Sequence, residues 1–177
     1  MTNNLHKLIW PSLFLFWLTL ASCLVYYVSA ESVSKFDPNY TLVESSLSPD
    51  FDEEFINWLV TQTRIDGRSV VHITSQECRC NLVSQRHRES VAKLAEDHLF
   101  NNLYITTDNP HFVPSTPAIA IIDEQNQLVY FGPYSTGYFC SAGDGIAEPF
   151  INGSYQANNR ATVIADATGC YCHLERS

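Results

Sequence analysis

An uncharged run of 23 residues, residues 8–30, constrains this chain more than any other feature of its sequence. At a rise of about 1.5 Å per residue, a helix of this length crosses the roughly 30 Å hydrocarbon core of a membrane. Lys7 before the run and Glu31 after it predict an N-terminus left in the cytoplasm. We therefore expect a single-pass membrane anchor within residues 1–30 and an exported remainder.

Two processing signals compete with an uncleaved anchor. Residues 28–30 (Val-Ser-Ala) resemble a signal-peptidase site, which would give a secreted protein. Residues 20–23 (Leu-Ala-Ser-Cys) resemble a bacterial lipoprotein box, which would give a lipid anchor, although the residues that follow stay apolar. All three outcomes export the rest of the chain. The preferred prediction is an uncleaved anchor in a bacterial inner membrane, with the C-terminal domain in the periplasm.

The charge of the chain is concentrated after the apolar run. Residues 31–177 carry all 19 acidic side chains and nine of the ten basic ones. An acidic surface disfavours phosphate backbones, whose binding depends on Lys and Arg replacing counterions, so we expect no nucleic-acid partner. The apolar fraction of 45% excludes a disordered chain, and the length favours one domain of ordinary size.

The exported part predicts an α/β fold with a mixed sheet flanked by helices. Residues 31–47 are polar and aperiodic, as in a linker, and Ser48-Pro49 opens a helix, so the domain is expected over residues 48–177. A strand–helix–strand unit predicts parallel pairing, and a hairpin adds antiparallel strands. The predicted strands cover residues 69–74, 103–107, 118–122, 127–131 and 161–165, and the predicted helices cover residues 48–63, 81–98 and 149–159.

Cys78 and Cys80 lie where the strand 69–74 gives way to the helix 81–98. A thiolate at such a junction faces free N–H groups and the positive end of the helix dipole, which lowers the pKa of the thiol. Two cysteines one residue apart form only a small ring, and strained exposed disulfides exchange readily. The spacing favours a redox-active pair open to solvent. Copper or zinc binding and bridges to distant cysteines are the alternatives.

The cysteine pair, the order of elements and residues 115–118 (Ser-Thr-Pro-Ala) before a predicted strand resemble the thioredoxin superfamily. The resemblance implies a cis bond between Thr116 and Pro117, with the proline against the active cysteines and its neighbouring backbone binding an extended substrate segment. It implies a thiol–disulfide oxidoreductase without a cofactor, acting on protein or small thiol and disulfide substrates. Cys78, nearer the helix start, is expected to be the nucleophile and Cys80 the resolving thiol.

A closer likeness is to a group of bacterial thioredoxin-like proteins that carry an N-terminal membrane segment. The similar features are a C-x-C-N motif at residues 78–81, a YFGPYS-like turn at residues 130–135, a cysteine soon afterwards and a terminal G-C-x-C. The motif differs from the C-x-x-C of most thioredoxin-like proteins. The likeness therefore bears on the architecture and not on the reaction.

Cys140, Cys170 and Cys172 bring the exported cysteines to five, so at least one is free, used transiently or paired between molecules. One interpretation is a second redox centre, in which the terminal pair exchanges electrons with the first. The preferred interpretation is a disulfide from Cys140 to one terminal cysteine, which pins the C-terminus to the domain. In a third interpretation, the two C-x-C motifs and Cys140 or His173 together form a binding site for Cu(I) or zinc.

The remaining candidates are titratable side chains near the predicted elements. His72 in a strand and His87 on the apolar side of a helix are predicted to pack in the core. His111 in the proline-rich loop is a candidate to approach the cysteines, and Glu77 before the first motif is a candidate for proton transfer. The sequence does not distinguish oxidant, reductant and isomerase, because direction depends on the potential and on the partner.

Overall fold

The structure, a computed structural model, describes residues 3–30, 33–108, 111–137, 145–155 and 160–174. It divides into two units, Met1–Val33 and Ser34–Ser177. The first unit contains the helix α1 (Asn3–Ala30). Within it, the 19 residues Ile9–Tyr27 are long and apolar enough to cross a membrane or to act as a signal sequence. The predicted N-terminal apolar helix is therefore confirmed.

The second unit contains the helices and strands of the folded domain. Its described helices are α2 (Thr41–Ser46), α3 (Phe51–Gln62), α4 (Cys80–Val83), α5 (Gln85–Asp97) and α6 (Glu148–Ile151). Its described strands are β1 (Ser34–Lys35), β2 (Ser69–Thr74), β3 (Asn101–Thr106), β4 (Ser115–Thr116), β5 (Ala118–Ile122), β6 (Leu128–Gly132), β7 (Thr162–Val163), β8 (Thr168–Gly169) and β9 (Cys172–His173). The predicted strands 69–74 and 118–122 coincide with β2 and β5, and the other predicted strands are shifted or shortened.

A five-stranded mixed sheet in the order β3-β2-β5-β6-β7 forms the centre of the domain. Strand β2 pairs in parallel with β3 and antiparallel with β5. Strand β5 continues antiparallel to β6, and β6 runs parallel to β7. The parallel pair and the hairpin are those expected from the sequence, which confirms the mixed α/β class.

Alternate residues of the central strands enter two hydrophobic clusters, one on each face of the sheet. Val71 of β2 packs in the same cluster as Phe55 of α3. Its neighbour Val70 packs in the cluster that contains Val91 of α5 and Ile151 of α6. Because successive side chains of a strand point to opposite faces, α3 covers one face and α5 with α6 covers the other.

Residues 34–47, which were predicted to belong to a linker at residues 31–47, are part of the folded domain. Strand β1 pairs antiparallel with β8 near the C-terminal end of the chain. Phe36 and Leu42 are fully buried in the hydrophobic core. The linker prediction is wrong here because a two-residue strand and two isolated apolar side chains produce no periodicity, and the partner strand lies far along the sequence.

The carboxylate of Asp37 fixes the first turn of α2. It accepts hydrogen bonds from the backbone N–H groups of Thr41, Leu42 and Val43 and from the Thr41 hydroxyl, at 2.9–3.2 Å. Asp37 is 3% exposed, so we expect Asp37→Ala to lower the free energy of unfolding by about 2–3 kcal/mol. Urea denaturation of the full-length chain measures this change.

The matched control is Asp50→Ala. Asp50 is exposed and makes no side-chain hydrogen bond to α3, so its removal should change the free energy of unfolding by less than about 0.5 kcal/mol. Equal losses for the two variants would show that the four hydrogen bonds of Asp37 do not stabilise the domain. Asp37→Asn should recover only part of the loss, because the asparagine side chain has a single acceptor oxygen.

The helix predicted over residues 81–98 is broken at Ser84 into α4 and α5. The backbone of Ser84 has φ −84° and ψ −5°, which interrupts the regular helical geometry. Cys78 therefore precedes a single four-residue turn and not the start of a long helix. The helix predicted over residues 149–159 is reduced to α6, and residues 156–159 lie outside the described part of the chain.

Candidate functional site

Four cysteines from two distant parts of the chain meet in one cluster. Cys78 is bonded to Cys172, and Cys80 is bonded to Cys170. The Sγ atoms of Cys78, Cys80 and Cys172 lie within 4.8 Å of one another. The two C-x-C motifs therefore face each other, and the first cysteine of each is bonded to the second cysteine of the other.

This pairing corrects two sequence predictions. Cys78 and Cys80 are not bonded to each other, and the alternative of bridges to distant cysteines is the one present. The Cα atoms of the two bridges are 5.6 and 5.5 Å apart, a usual separation, whereas a C-x-C ring requires a sharp bend. The predicted bridge from Cys140 to a terminal cysteine is also wrong, because Cys170 and Cys172 are both used. Cys140 itself lies outside the described residues.

The sulfur cluster is mostly buried, so the prediction of a pair open to solvent is wrong. Cys78, Cys80 and Cys170 are each 6% exposed. Cys172 is half-buried and is the most exposed member of the cluster. The terminal motif covers the first motif, a contact that the sequence alone did not predict.

The proline loop adjoins the first motif, as the resemblance implies. The peptide bond between Thr116 and Pro117 is cis. The Sγ atom of Cys78 lies 3.5 Å from the carbonyl oxygen of Thr116. The hydroxyl groups of Thr116 and Ser75 lie 2.7 Å apart, and both residues are buried. The end of β2 thus holds the loop beside Cys78.

Asn81, the last residue of the C-x-C-N motif, and Arg88 hold the first motif in place, a role that the sequence analysis did not predict. The Asn81 side-chain amide donates a hydrogen bond to the carbonyl oxygen of Ser75 at 2.8 Å. Arg88 donates to the carbonyl oxygen of Asn81 at 3.1 Å. The available signal was the position of Asn81 directly after Cys80, whereas Arg88 lies eight residues after that cysteine. Glu77, a candidate for proton transfer, is exposed, as is Arg79.

The second motif is held by a buried aromatic ring and by two short strand pairs. Tyr171, between the two terminal cysteines, packs edge-on against Phe36 with ring centroids 5.2 Å apart. Its hydroxyl donates to the carbonyl oxygen of Ser135 at 2.6 Å. Strand β8 pairs with β1, and β9 pairs antiparallel with β4. His173 is exposed, and its Nδ1 atom lies 2.8 Å from the Ser115 hydroxyl.

The three other candidate histidines lie in different parts of the domain. His72 and His87 are buried, as predicted. The Nε2 atom of His87 lies 3.0 Å from a carboxylate oxygen of Glu148, which joins α5 to α6. His111 is exposed, and its ring packs against Phe112. The described contacts therefore give His72 and His87 packing roles.

Burial lowers the pKa of His72; the hydrogen bond with Asn102 opposes this shift, and the charge of Arg88 adds to it. A neutral ring fits its two partners, because Nε2 can donate to the Asn102 side-chain oxygen at 2.9 Å and Nδ1 can accept from the Tyr134 hydroxyl at 2.6 Å. The unfolded chain protonates this histidine near pH 6.5, and the folded protein does so only at lower pH.

We therefore expect the free energy of unfolding to fall as the pH decreases below the unfolded value of 6.5, until His72 is also protonated in the folded protein. Urea denaturation at a series of pH values measures this dependence, and His72→Gln should remove the part due to this residue. NMR titration of the imidazole gives the midpoint directly. A midpoint for His72 above 6.5 would contradict the expectation.

Comparisons with known proteins identify a family without naming a reaction. Residues 49–174 match a family model described as "Domain of unknown function (DUF6436)". No curated protein and no solved structure matches the chain. The matched region contains both C-x-C motifs and the proline loop. The description names neither thioredoxins nor an activity, so the thioredoxin-like fold and the reaction stay predictions.

Proposed function

The chain belongs to the DUF6436 family, and from the arrangement of its sulfurs we propose that it is a membrane-tethered, thioredoxin-like thiol–disulfide oxidoreductase of the periplasm. One observation carries the proposal: the Cys78–Cys172 disulfide joins a sulfur 3.5 Å from the carbonyl of Thr116 to the most exposed cysteine of the cluster. Protein or small-molecule thiols and disulfides are the substrates. Helix α1 is the proposed tether.

The surroundings of Cys78 support the thioredoxin-like architecture. Cys78 follows β2, a central strand of the mixed sheet, after a short turn. It contacts the residue that precedes the cis proline. Pro117 leads directly into β5, the antiparallel neighbour of β2. These are the relations that the resemblance predicts between an active cysteine and its cis proline.

The two disulfides are nested, which leaves one of them available for exchange. They join residues 94 and 90 positions apart, so either bridge alone removes most of the unfolded-chain entropy that the two bridges remove together. When Cys80–Cys170 is closed, Cys78–Cys172 closes only a ring of six residues. Breaking it leaves the terminal segment attached. We assign exchange to Cys78 and Cys172 and a structural role to the Cys80–Cys170 disulfide. The sequence predicts Cys80 as the resolving thiol, and we now assign that role to Cys172.

The proposed reaction has two steps. A partner thiolate attacks the Sγ atom of Cys172, the bond to Cys78 breaks, and Cys78 leaves as a thiolate. The second thiolate of the partner attacks the partner sulfur of this mixed disulfide, and Cys172 leaves as a thiolate. The partner is thereby oxidised to a disulfide, and Cys78 and Cys172 take up its two electrons and two protons. In the direction that reduces a partner disulfide, the Cys78 thiolate attacks a partner sulfur, and the Cys172 thiolate then attacks the Sγ atom of Cys78 and releases the second partner thiolate.

Disulfide mapping across a series of glutathione redox potentials tests the proposal. The full-length protein is equilibrated at each potential, alkylated and analysed by mass spectrometry, with the described free cysteine Cys23 as the alkylation control. We expect Cys78 and Cys172 to open in a reversible two-electron step before Cys80 and Cys170, which are both 6% exposed. Complete resistance to glutathione, or opening of both disulfides together, would contradict the proposal.

Metal binding is the second candidate function, because three sulfurs within 4.8 Å of one another can share one ion after reduction. Cys170 offers a fourth thiolate, and four thiolates suit zinc or Cu(I). Titration of the fully reduced, full-length protein with either ion distinguishes the candidates. A tight stoichiometric complex that is lost in Cys78→Ser but kept in Cys23→Ser supports a carrier. Redox interconversion without metal retention supports the oxidoreductase.

A further inference from the structure

The C-terminal strand β9 lies on the backbone edge next to the cis proline. In its register with β4, Thr116 is opposite Cys172 and Ser115 is opposite His173. Cys172 is thus the strand partner of the residue before the cis proline and also the disulfide partner of Cys78. An extended segment that pairs with this edge and is bonded to Cys78 has the geometry of a protein substrate held midway through exchange.

Residues 172–174 contact the β4 edge and the core. Besides the disulfide of Cys172 and the pairing with β4, their contacts include the Leu174 N–H bond to the carbonyl oxygen of Pro114 at 3.0 Å and the contact of His173 with Ser115. Leu174 also packs against the hydrophobic core. His173 is exposed and Leu174 is half-buried. Tyr171, by contrast, is buried in the core and follows the structural disulfide of Cys170. Tyr171 is therefore anchored by contacts that do not depend on the Cys78–Cys172 bond, whereas residues 172 and 173 are attached to the edge through that bond and the pairing with β4.

Building on the proposed function, we propose that β9 is a tethered occupant of a docking site for an extended, cysteine-bearing segment of a partner protein. In the oxidised protein, β9 fills the edge of β4. When the Cys78–Cys172 bond opens, residues 172–174 leave the edge while Tyr171 stays in place. A partner strand then pairs with Ser115 and Thr116. The ligand is an extended polypeptide because the edge offers main-chain hydrogen bonds that a small thiol does not use.

A dithiol first reduces the Cys78–Cys172 disulfide, and the exchange at this edge then needs no other oxidant or reductant. The Cys78 thiolate attacks one sulfur of a partner disulfide, and the other partner sulfur leaves as a thiolate. The Cys172 thiolate then attacks the Sγ atom of Cys78, the Cys78–Cys172 bond re-forms, and the second partner sulfur leaves as a thiolate. The partner disulfide has received the two electrons supplied by the dithiol. Return of β9 to its edge accompanies release of the product.

Two variants of the membrane-anchored chain test the docking site, because both have a free Cys78 and only one retains β9. The first variant ends at Tyr171, and the second is Cys172→Ser. The probe is a peptide with the sequence of residues 168–174, in which serine replaces the first cysteine and 2-nitro-5-thiobenzoate is bonded to the second. Cys78 attacks the peptide sulfur, the thiobenzoate that leaves is measured by absorbance, and mass spectrometry locates the attachment.

The matched control probe is glutathione bonded to the same leaving group, which does not supply an extended segment that pairs with β4. Removal of β9 should accelerate peptide capture at Cys78 about tenfold more than glutathione capture, because the peptide alone needs the vacated edge. Equal acceleration of the two probes would mean simple uncovering of Cys78 and would overturn the docking inference. Failure of Cys78 to react with either probe in both variants would instead contradict the proposed function.

A modified peptide tests the strand pairing itself. Methylation of the leucine amide removes the donor that corresponds to the Leu174 N–H group bonded to Pro114. We expect this peptide to be captured about fivefold to tenfold more slowly by the variant ending at Tyr171. An unchanged rate would overturn the docking inference. If the shortened chain does not fold, a full-length variant with both Leu174→Pro and Cys172→Ser replaces it, because proline weakens the same pairing. This variant should capture the unmodified peptide faster than Cys172→Ser alone. An unchanged rate would again overturn the docking inference.

Hydrogen exchange gives an independent test in the unmodified protein. After reduction of Cys78–Cys172, the Leu174 amide should exchange about tenfold faster or more. The Gly137 amide, bonded to the carbonyl oxygen of Thr168 at 2.7 Å, should keep its protection. Retained protection of Leu174 in the reduced protein would show that β9 stays on its edge and would overturn the inference.

Discussion

Replacement of Cys172 by serine is expected to slow disulfide exchange with a dithiol peptide by about 100-fold or more. Serine cannot form the mixed disulfide, and both residues of the remaining Cys80–Cys170 bond are buried. The rate is measured with the oxidised full-length protein, from the oxidation of a dithiol peptide whose fluorescence changes when its disulfide forms. Cys78→Ser should cause a similar loss, because it removes the other sulfur of the same bond.

Two controls accompany this prediction. Cys23→Ser removes the described free cysteine, which lies in α1, and should leave the rate unchanged. Replacement of both Cys80 and Cys170 by alanine removes the structural disulfide and should retain most of the rate while the domain remains folded. A normal rate in Cys172→Ser together with a large loss in the Cys80/Cys170 variant would reverse the roles assigned to the two disulfides.

The second large effect is a loss of stability that is much greater when both disulfides are removed than when either one is. Either bridge alone closes a loop of more than 90 residues, and the second adds a ring of six residues. The chain-entropy relation gives about 2 kcal/mol for loss of either disulfide and about 7 kcal/mol for loss of both. Because the total free energy of unfolding of a domain is of the same order, the protein without either disulfide is expected to be largely unfolded.

A double-mutant cycle measures this coupling. The three variants replace Cys78 with Cys172, Cys80 with Cys170, or all four cysteines by alanine, and urea denaturation gives their free energies of unfolding. The loss in the four-alanine variant should exceed the sum of the two other losses by about 2 kcal/mol. Additive losses would mean that each bridge stabilises its own region. They would also remove the argument that one disulfide is available for exchange.

Two strands at the centre of the sheet were predictable because they carry short runs of apolar and β-branched residues. Strands β2 and β5 are buried along almost their whole length, and their residues identify them without reference to any partner. The position of the cis bond before Pro117 followed from the motif and its resemblance. The break of the long helix at Ser84 did not, because no glycine or proline marks it.

The cysteine pairing could not be predicted from spacing, since several connectivities satisfy the same sequence. One signal was present: both motifs have a single residue between their cysteines, so two segments running in opposite directions bring two sulfurs opposite two others. The strands that align them, β1, β4, β8 and β9, have two residues each and show no periodicity. Only tertiary contacts bring the terminal segment over Cys78 and Cys80.

The alternation around Tyr171 has a consequence for the length of the terminal segment. Cys170 and Cys172 point into the sulfur cluster, and the ring between them points into the apolar core. Because neighbouring side chains of an extended segment point to opposite sides, inserting one residue between Cys170 and Cys172 would place the two thiols on opposite sides of the segment. The single residue between the two cysteines is therefore required for both disulfides, whereas an exposed residue such as His173 can be replaced at little cost.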